Sequence, residues 1–247
     1  MRQQADPTTV NKIVSALHAT ATSITAVLLL KHSSWPILEP SQAPGDAQPD
    51  KDRERPLDDS RNPLISGRNS LASTLTAWET VYLLYDTCFM VYASRKRNKL
   101  NTNAAGLRLV AKESPVILAH HILLASAFLV LQSYIVVGKE KGLWVITAFM
   151  LMNSSNPLMH LRWYIRQRTG KPSNAIDVAF LATFAGARFG LVAWILTKYG
   201  QYHGLGPVQA YRLLRKECRI GTAMLVGFNG AWWIMLALKV VNRKLKR

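Results

Sequence analysis

The chain has 247 residues, 49% of them hydrophobic, and 31 Lys and Arg against 14 Asp and Glu give it a formal net charge of +17. Its mean hydropathy of +0.05 averages long apolar runs with charged joints, a pattern that excludes a soluble globular core and fits one polytopic membrane domain. The basic excess sits in the joints, so positive-inside bias accounts for it and nucleic acid is not an expected partner; Cys88 in an apolar run and Cys218 in a basic segment exclude a disulfide framework.

Residues 1–9 are polar and carry no signal-peptide cleavage pattern. A first helix is expected over 10–31, with His18 inside it and small polar residues (Ser15, Thr20, Thr22, Ser23, Thr25) suited to helix contact. From 33 to 69 the chain turns to Pro, Asp, Arg, Ser and Gln with charges nearly balanced, which predicts a flexible loop without secondary structure. The second helix, 70–94, contains Trp78, Glu79, Tyr82, Tyr85 and Asp86. A basic joint follows, with Arg95, Lys96, Arg97, Lys99, Arg108 and Lys112.

The third helix starts cleanly, with Ser114 as N-cap and Pro115 at the first helical position, where a missing N–H costs nothing. Residues 116–137 hold no charged side chain, about the length that crosses a bilayer core of roughly 30 Å. The adjacent His120 and His121 lie inside it, and an ionisable group at that depth is a functional-site hypothesis. After a joint at 138–142, helix four is expected over 143–166, with Arg162, Arg166, Arg168 and Lys171 at and beyond its end. Helix five spans 173–198, with Asp177 near its start and Arg188 inside. A Gly-rich joint, 200–206, leads to a single long helix six over 208–242. Its first part is amphipathic (Arg212, Arg215, Lys216, Arg219), and its apolar second part carries Asn229, Trp232 and Trp233.

The expected fold is all-α: an integral membrane bundle of six transmembrane helices. Six spans put the basic joints after helices two and four, residues 1–9 and the basic tail 243–247 on one side, expected to be cytosolic, and the 33–69 loop in the lumen. The basic start of helix six conflicts with this, and an interfacial amphipathic stretch accommodates it. Counting 1.5 Å per residue from the cytosolic helix ends puts His18, Asp86, His120, His121 and Asn153 in one layer roughly 9–13 Å deep, with Arg188 and Asn229 at about 20 Å, where the two facing each other would give the bundle a polar interior. A neutral imidazole there can act as base or nucleophile, with Asp86 as its orienter. Neighbours on a helix point about 100° apart, so at least one of the paired histidines should face inward. No metal site is expected, because the chain has no Cys/His cluster of zinc spacing.

The ordered set of these residues resembles the TLC-domain family, which includes the ceramide synthases and the translocating-chain-associated proteins. Ser15-Ala-Leu-His18 is similar to its first-helix element, and Val81-Tyr82-Leu-Leu-Tyr85-Asp86 to its Gly-Tyr-Phe-x-x-Asp element. His120-His121 matches the paired histidines. The stretch from Asn153 through Pro157 and His160 to Arg162-Trp163 is similar to Glu-x-Ser-Thr-Pro-Phe-x-x-Leu-Arg-Trp. Arg188 and Asn229-x-x-Trp232 match the arginine and Asn-x-x-Trp of the last two helices. The resemblance implies a barrel-like six-helix bundle, here over 10–242, with a lipid-accessible interior and residence in the endoplasmic reticulum.

The resemblance also implies lipid homeostasis or ceramide metabolism, with His120, His121 and Asp86 as catalytic candidates and His18, Tyr82, Asn153, Arg188 and Asn229 lining the site. Asn153 stands where the family has Glu, and the acids preceding that Glu in the synthases are absent over 145–149. A lipid-binding protein of the smaller TLC type is therefore the first expectation. An acyl-CoA-dependent acyltransferase is the second, its basic rim (Arg95, Lys96, Arg97, Lys99, Arg162, Arg166) attracting the CoA phosphates. A cargo receptor using the 33–69 loop is the third. Membrane lipids are the expected partners and a homo-oligomer stays open. No cofactor is expected beyond acyl-CoA as co-substrate of an enzyme.

Overall fold

The computed structural model describes residues 7–32, 59 and 61–245, and these contain helices, turns and coil but no strand. Six helical rods make up the bundle. The first three are α1 (Pro7–His32), α3 (Ser70–Arg97) and α5 (Pro115–Val136). The fourth is broken: α6 (Leu143–Phe149), a 3₁₀ segment (Met150–Ser155) and α7 (Asn156–Thr169). The fifth joins α8 (Asn174–Ala185) and α9 (Leu191–Tyr202) through a π segment (Gly186–Gly190). The sixth is α11 (Lys216–Leu245). Three short helices lie between rods: α2 (Pro63–Ser66), α4 (Asn103–Glu113) and α10 (Pro207–Leu213).

Four rods are long and apolar enough to cross a membrane on their own: α1, α5, α8–α9 and α11. The α3 and α6–α7 rods fall short of that measure; α3 carries Glu79 and Asp86 in its middle and Arg95, Lys96 and Arg97 in its last turn. The chain is a multi-pass membrane bundle in which the polar rods run among apolar ones.

Three expected elements take another form. The basic joint after the second rod contains α4, capped by the Thr102 hydroxyl, which accepts from the Ala105 N–H at 3.2 Å. Gly106 lets α4 press on α3, since a Cβ there would sit 2.9 Å from the Val91 carbonyl oxygen. The described end of the 33–69 loop is also ordered. Asn62 caps α2, and the Gly142 N–H donates to the Ile65 carbonyl at 2.7 Å. Residues 33–58 and 60, most of that loop, lie outside the described residues. Finally, helix six is two helices. Leu214 is extended (φ −55°, ψ 147°), so α10 folds back on α9 while α11 starts afresh, and Arg219 donates to the Arg212 carbonyl across the corner at 2.9 Å. The turn into α10 needs Gly200, where a Cβ would meet the Leu205 carbonyl oxygen at 2.5 Å and Ala210 of α10 at 3.3 Å. Ser114 occupies its expected N-cap position but makes no side-chain cap bond.

The rods pack in the order α5, α3, α1, α6–α7, α8–α9, α11. The two outer rods, α5 and α11, pack chiefly on α3 and α8 respectively. The start of α1 and the end of α11 reach the same end of the bundle, because Asn11 bonds Asp86 in the second half of α3 and Arg243 bonds Asp177 at the start of α8. The apolar core lies toward the other end, where Ala26, Leu29, Leu64, Leu75, Leu143, Trp144, Ile195 and Tyr199 cluster.

Toward the chain ends, rods are tied by polar pairs. Asp177, fully buried in the first turn of α8, receives Arg162 from α7 and Arg243 from α11. Removing one partner of a buried ion pair costs about 3–5 kcal/mol, because a charge is left unmatched. Asp177→Ala should therefore lower stability by about that amount. Thermal unfolding in detergent checks it, and an unchanged midpoint would show that the two arginines find other partners.

Candidate functional site

Asp86 and Glu79 stand seven residues apart on α3, about two turns, and so do their partners Asn11 and His18 on α1. The matched spacing sets the antiparallel register of the two helices and divides the expected single layer into two tiers. His18 was expected level with Asp86, but it pairs with Glu79 about 10 Å deeper. Counting from helix ends misled because α3 runs about two turns past the start of α1.

In the deeper tier, His18 Nε2 lies 2.9 Å from Glu79 Oε2. The Trp78 indole N–H donates to His18 Nδ1 at 2.9 Å. Indole is a donor only, so Nδ1 is the acceptor and Nε2 carries the proton toward the carboxylate. The Tyr82 ring stacks on the imidazole at 3.4 Å. Asn153 donates to Glu79 Oε1 at 3.3 Å, and the Thr22 hydroxyl reaches Oε2 at 3.5 Å. Both nitrogens of His18 and both oxygens of Glu79 are thus engaged, and both residues are buried.

In the tier nearer the chain ends, Asn11 donates to Asp86 Oδ1 at 2.8 Å, and His121 Nε2 lies 3.6 Å from Asp86 Oδ2. That is ion-pair range but too long for a hydrogen bond. His121 Nδ1 is 3.4 Å from the Thr87 hydroxyl, whose proton goes to the Leu83 carbonyl at 2.7 Å. His121 is therefore held loosely where His18 is locked. Lys12 and His160 belong to this tier: Lys12 acts electrostatically on His121 and on His160, and Asp86 acts on all three.

His120 is the more exposed of the pair: its ring lies 6.0 Å from that of His121 at a tilt and stacks parallel to Phe228 of α11 at 6.5 Å, and His121 and Arg188 both act on it electrostatically.

Arg188 and Asn229 do not pair with each other. Arg188 donates to the Ser155 hydroxyl at 2.5 Å and to the Met152 carbonyl at 3.1 Å, and its guanidinium lies 3.9 Å over the Phe184 ring. The fourth rod tightens to 3₁₀ ahead of Pro157, so the Asn156 N–H bonds the Asn153 carbonyl in place of that of Met152, and Arg188 on the π segment takes up the Met152 oxygen. Asn229 donates to Leu225 of its own helix at 2.8 Å, as a side chain does when no cross-helix partner is in reach.

The basic rim is only partly free. Arg97 pairs with Glu113 at 3.3 Å, Arg162 is committed to Asp177, and Lys96, Lys99 and Arg166 are exposed. Arg95 lies 5.8 Å over Tyr92. Among the described residues no group of three His, Cys, Asp or Glu side chains could hold a metal. Glu79, Lys12 and His160 are the residues the sequence reading did not assign. Glu79 carried a signal, since its separation from Asp86 equals that between Asn11 and His18.

The TLC-domain family model (TRAM/LAG1/CLN8) matches residues 9–241. No curated protein and no solved structure gives a significant match.

Glu79→Ala leaves His18, Thr22 and Asn153 without their acceptor, so it and His18→Ala remove one network. The double-mutant cycle in thermal or denaturant unfolding should give a coupling of about 1–3 kcal/mol. Additive costs would mean that the two side chains act independently.

Proposed function

Because the chain belongs to the TLC-domain family, we propose that it binds a membrane lipid among its helices and thereby influences the lipid composition of its membrane. The observation that carries this reading is the pair of acid–imidazole contacts, His18 with Glu79 and His121 with Asp86, inside a bundle of membrane-spanning rods. An ionisable side chain at membrane depth costs about 3 kcal/mol by insertion scales, and apolar packing would serve the fold without that cost. Of the two contacts, the loosely held His121 with Asp86 gives a lipid head group partners that both donate and accept, while His18 with Glu79 holds the rods around it. The outer rods α5 and α11 supply apolar surface for its tails, including Ile122, Leu123, Met224 and Phe228. The proposal places the basic end, with both chain ends, in the cytosol and the protein in the endoplasmic reticulum membrane.

A second reading, acyl-CoA-dependent N-acylation of a sphingoid base, draws on the loosely held His121 beside Asp86. That arrangement suits a general base and its orienter. Glu79 brings a carboxylate to Asn153, the position at which the synthases carry their acid. The cargo-receptor reading has no observation behind it, since its loop lies mostly outside the described residues.

Purified in mild detergent, the chain should retain about one lipid per copy, read by mass spectrometry, in keeping with a built site. A chain that purifies empty overturns the lipid-binding reading. If the second reading holds, His121→Ala should reduce acylation of a sphingoid base in isolated membranes by about a hundredfold or more. Product formation unchanged in the His120→Ala, His121→Ala double variant removes it.

A further inference from the structure

The tier nearer the chain ends contains polar atoms that the protein itself leaves unmatched. His160, on α7, is 8% exposed, and its Nδ1 has no hydrogen-bond partner. Asn11 uses its amide N–H on Asp86, while its Oδ1 is buried without a donor. The half-buried Lys12 beside them makes no ion pair among the described residues, although Asp86 acts on it electrostatically. Asp86 is already engaged, with Asn11 on one oxygen and His121 near the other.

Buried polar groups in folded proteins are almost always matched, and an unmatched cluster calls for a missing partner. The open functions here are an ammonium, an imidazole nitrogen and one amide oxygen. Two of the three can donate to an anion, and the third accepts from a hydroxyl. They come from two rods that pack on each other, α1 and α7, and Lys12 acts electrostatically both on His160 and on His121 of α5. Lys12 is the sixth residue of α1, about 8 Å from its start, a depth suited to a head group rather than to a tail.

We infer that Lys12, His160 and Asn11 form a binding site for a phosphate monoester, the phosphate taking its bonds from Lys12 and His160 and its hydroxyl donating to Asn11 Oδ1. The inference rests on the lipid-binding reading and names the head-group class of that lipid. Phosphate of this kind reaches the site either on a lipid or free in solution. The surrounding membrane rods favour the lipid source.

The full-length chain in phosphatidylcholine nanodiscs containing a small fraction of phosphatidate and diacylglycerol tests it, with retained lipid counted by mass spectrometry after extraction. Wild type should retain phosphatidate in preference to the other two by about tenfold or more, as a charge-assisted contact gives. Lys12→Met and His160→Leu should bring that preference close to parity, and Lys12→Arg should keep it. If phosphatidylcholine or diacylglycerol is retained as readily by wild type, the head-group inference is overturned while lipid binding stands. If no lipid is retained, the lipid reading fails instead. A parallel melt with inorganic phosphate separates the sources. Stabilisation by phosphatidate alone supports the lipid source; equal stabilisation by inorganic phosphate, lost in Lys12→Met, overturns it and assigns the site to a soluble phosphate. Because the wild-type preference is itself a test, a variant that fails to fold does not remove it.

Discussion

Two carboxylates on one helix govern the arrangement of this bundle. Glu79 and Asp86 lie on α3, between rods that are apolar enough to sit in lipid. Exposed to acyl chains, each would cost several kcal/mol, so α3 has to turn both toward protein. The partners on α1 repeat the same seven-residue spacing, so one rotation and one register of α1 against α3 satisfy both acids together. A shift by one turn would leave both unmatched. Polar pairing here sets the geometry that apolar contact, which tolerates sliding, leaves open in a membrane.

Once α1 and α3 are fixed, the fourth rod has to bring Asn153 to Glu79. The break ahead of Pro157 makes this possible, because the 3₁₀ segment rotates its side chains relative to a continuous helix. The carbonyl loosened at Met152 is then capped from the fifth rod by Arg188, whose own placement comes from the π segment. Two irregular stretches in neighbouring rods therefore compensate each other. Irregular backbone at membrane depth survives where protein groups satisfy it.

The bundle is consequently asymmetric. Its apolar core lies toward the α2, α6 and α10 end, and its ionisable groups gather toward the chain ends. The first end is held by packing and the second by specific pairs, with Asp177 joining three rods. The two imidazole-bearing tiers also differ in character. His18 is engaged at both nitrogens, which suits a fixed structural part, whereas His121 and His160 keep spare capacity.

By itself the sequence determined that this is a helical membrane bundle, roughly where the rods run, and that ionisable groups from several of them meet inside. Those conclusions follow from length, periodicity and the cost of charge in lipid, all of which act locally along the chain. The tertiary structure decided which groups meet. That His18 joins Glu79 and not Asp86 depends on how far α3 overhangs α1, and no count along either helix contains that offset. The same holds for Arg188, whose partners lie on the 3₁₀ segment of a different rod, and for His160, whose unmatched nitrogen emerges only once α1 and α7 are side by side. Pairing across helices is a property of relative translation and rotation, and those are fixed by all the contacts at once.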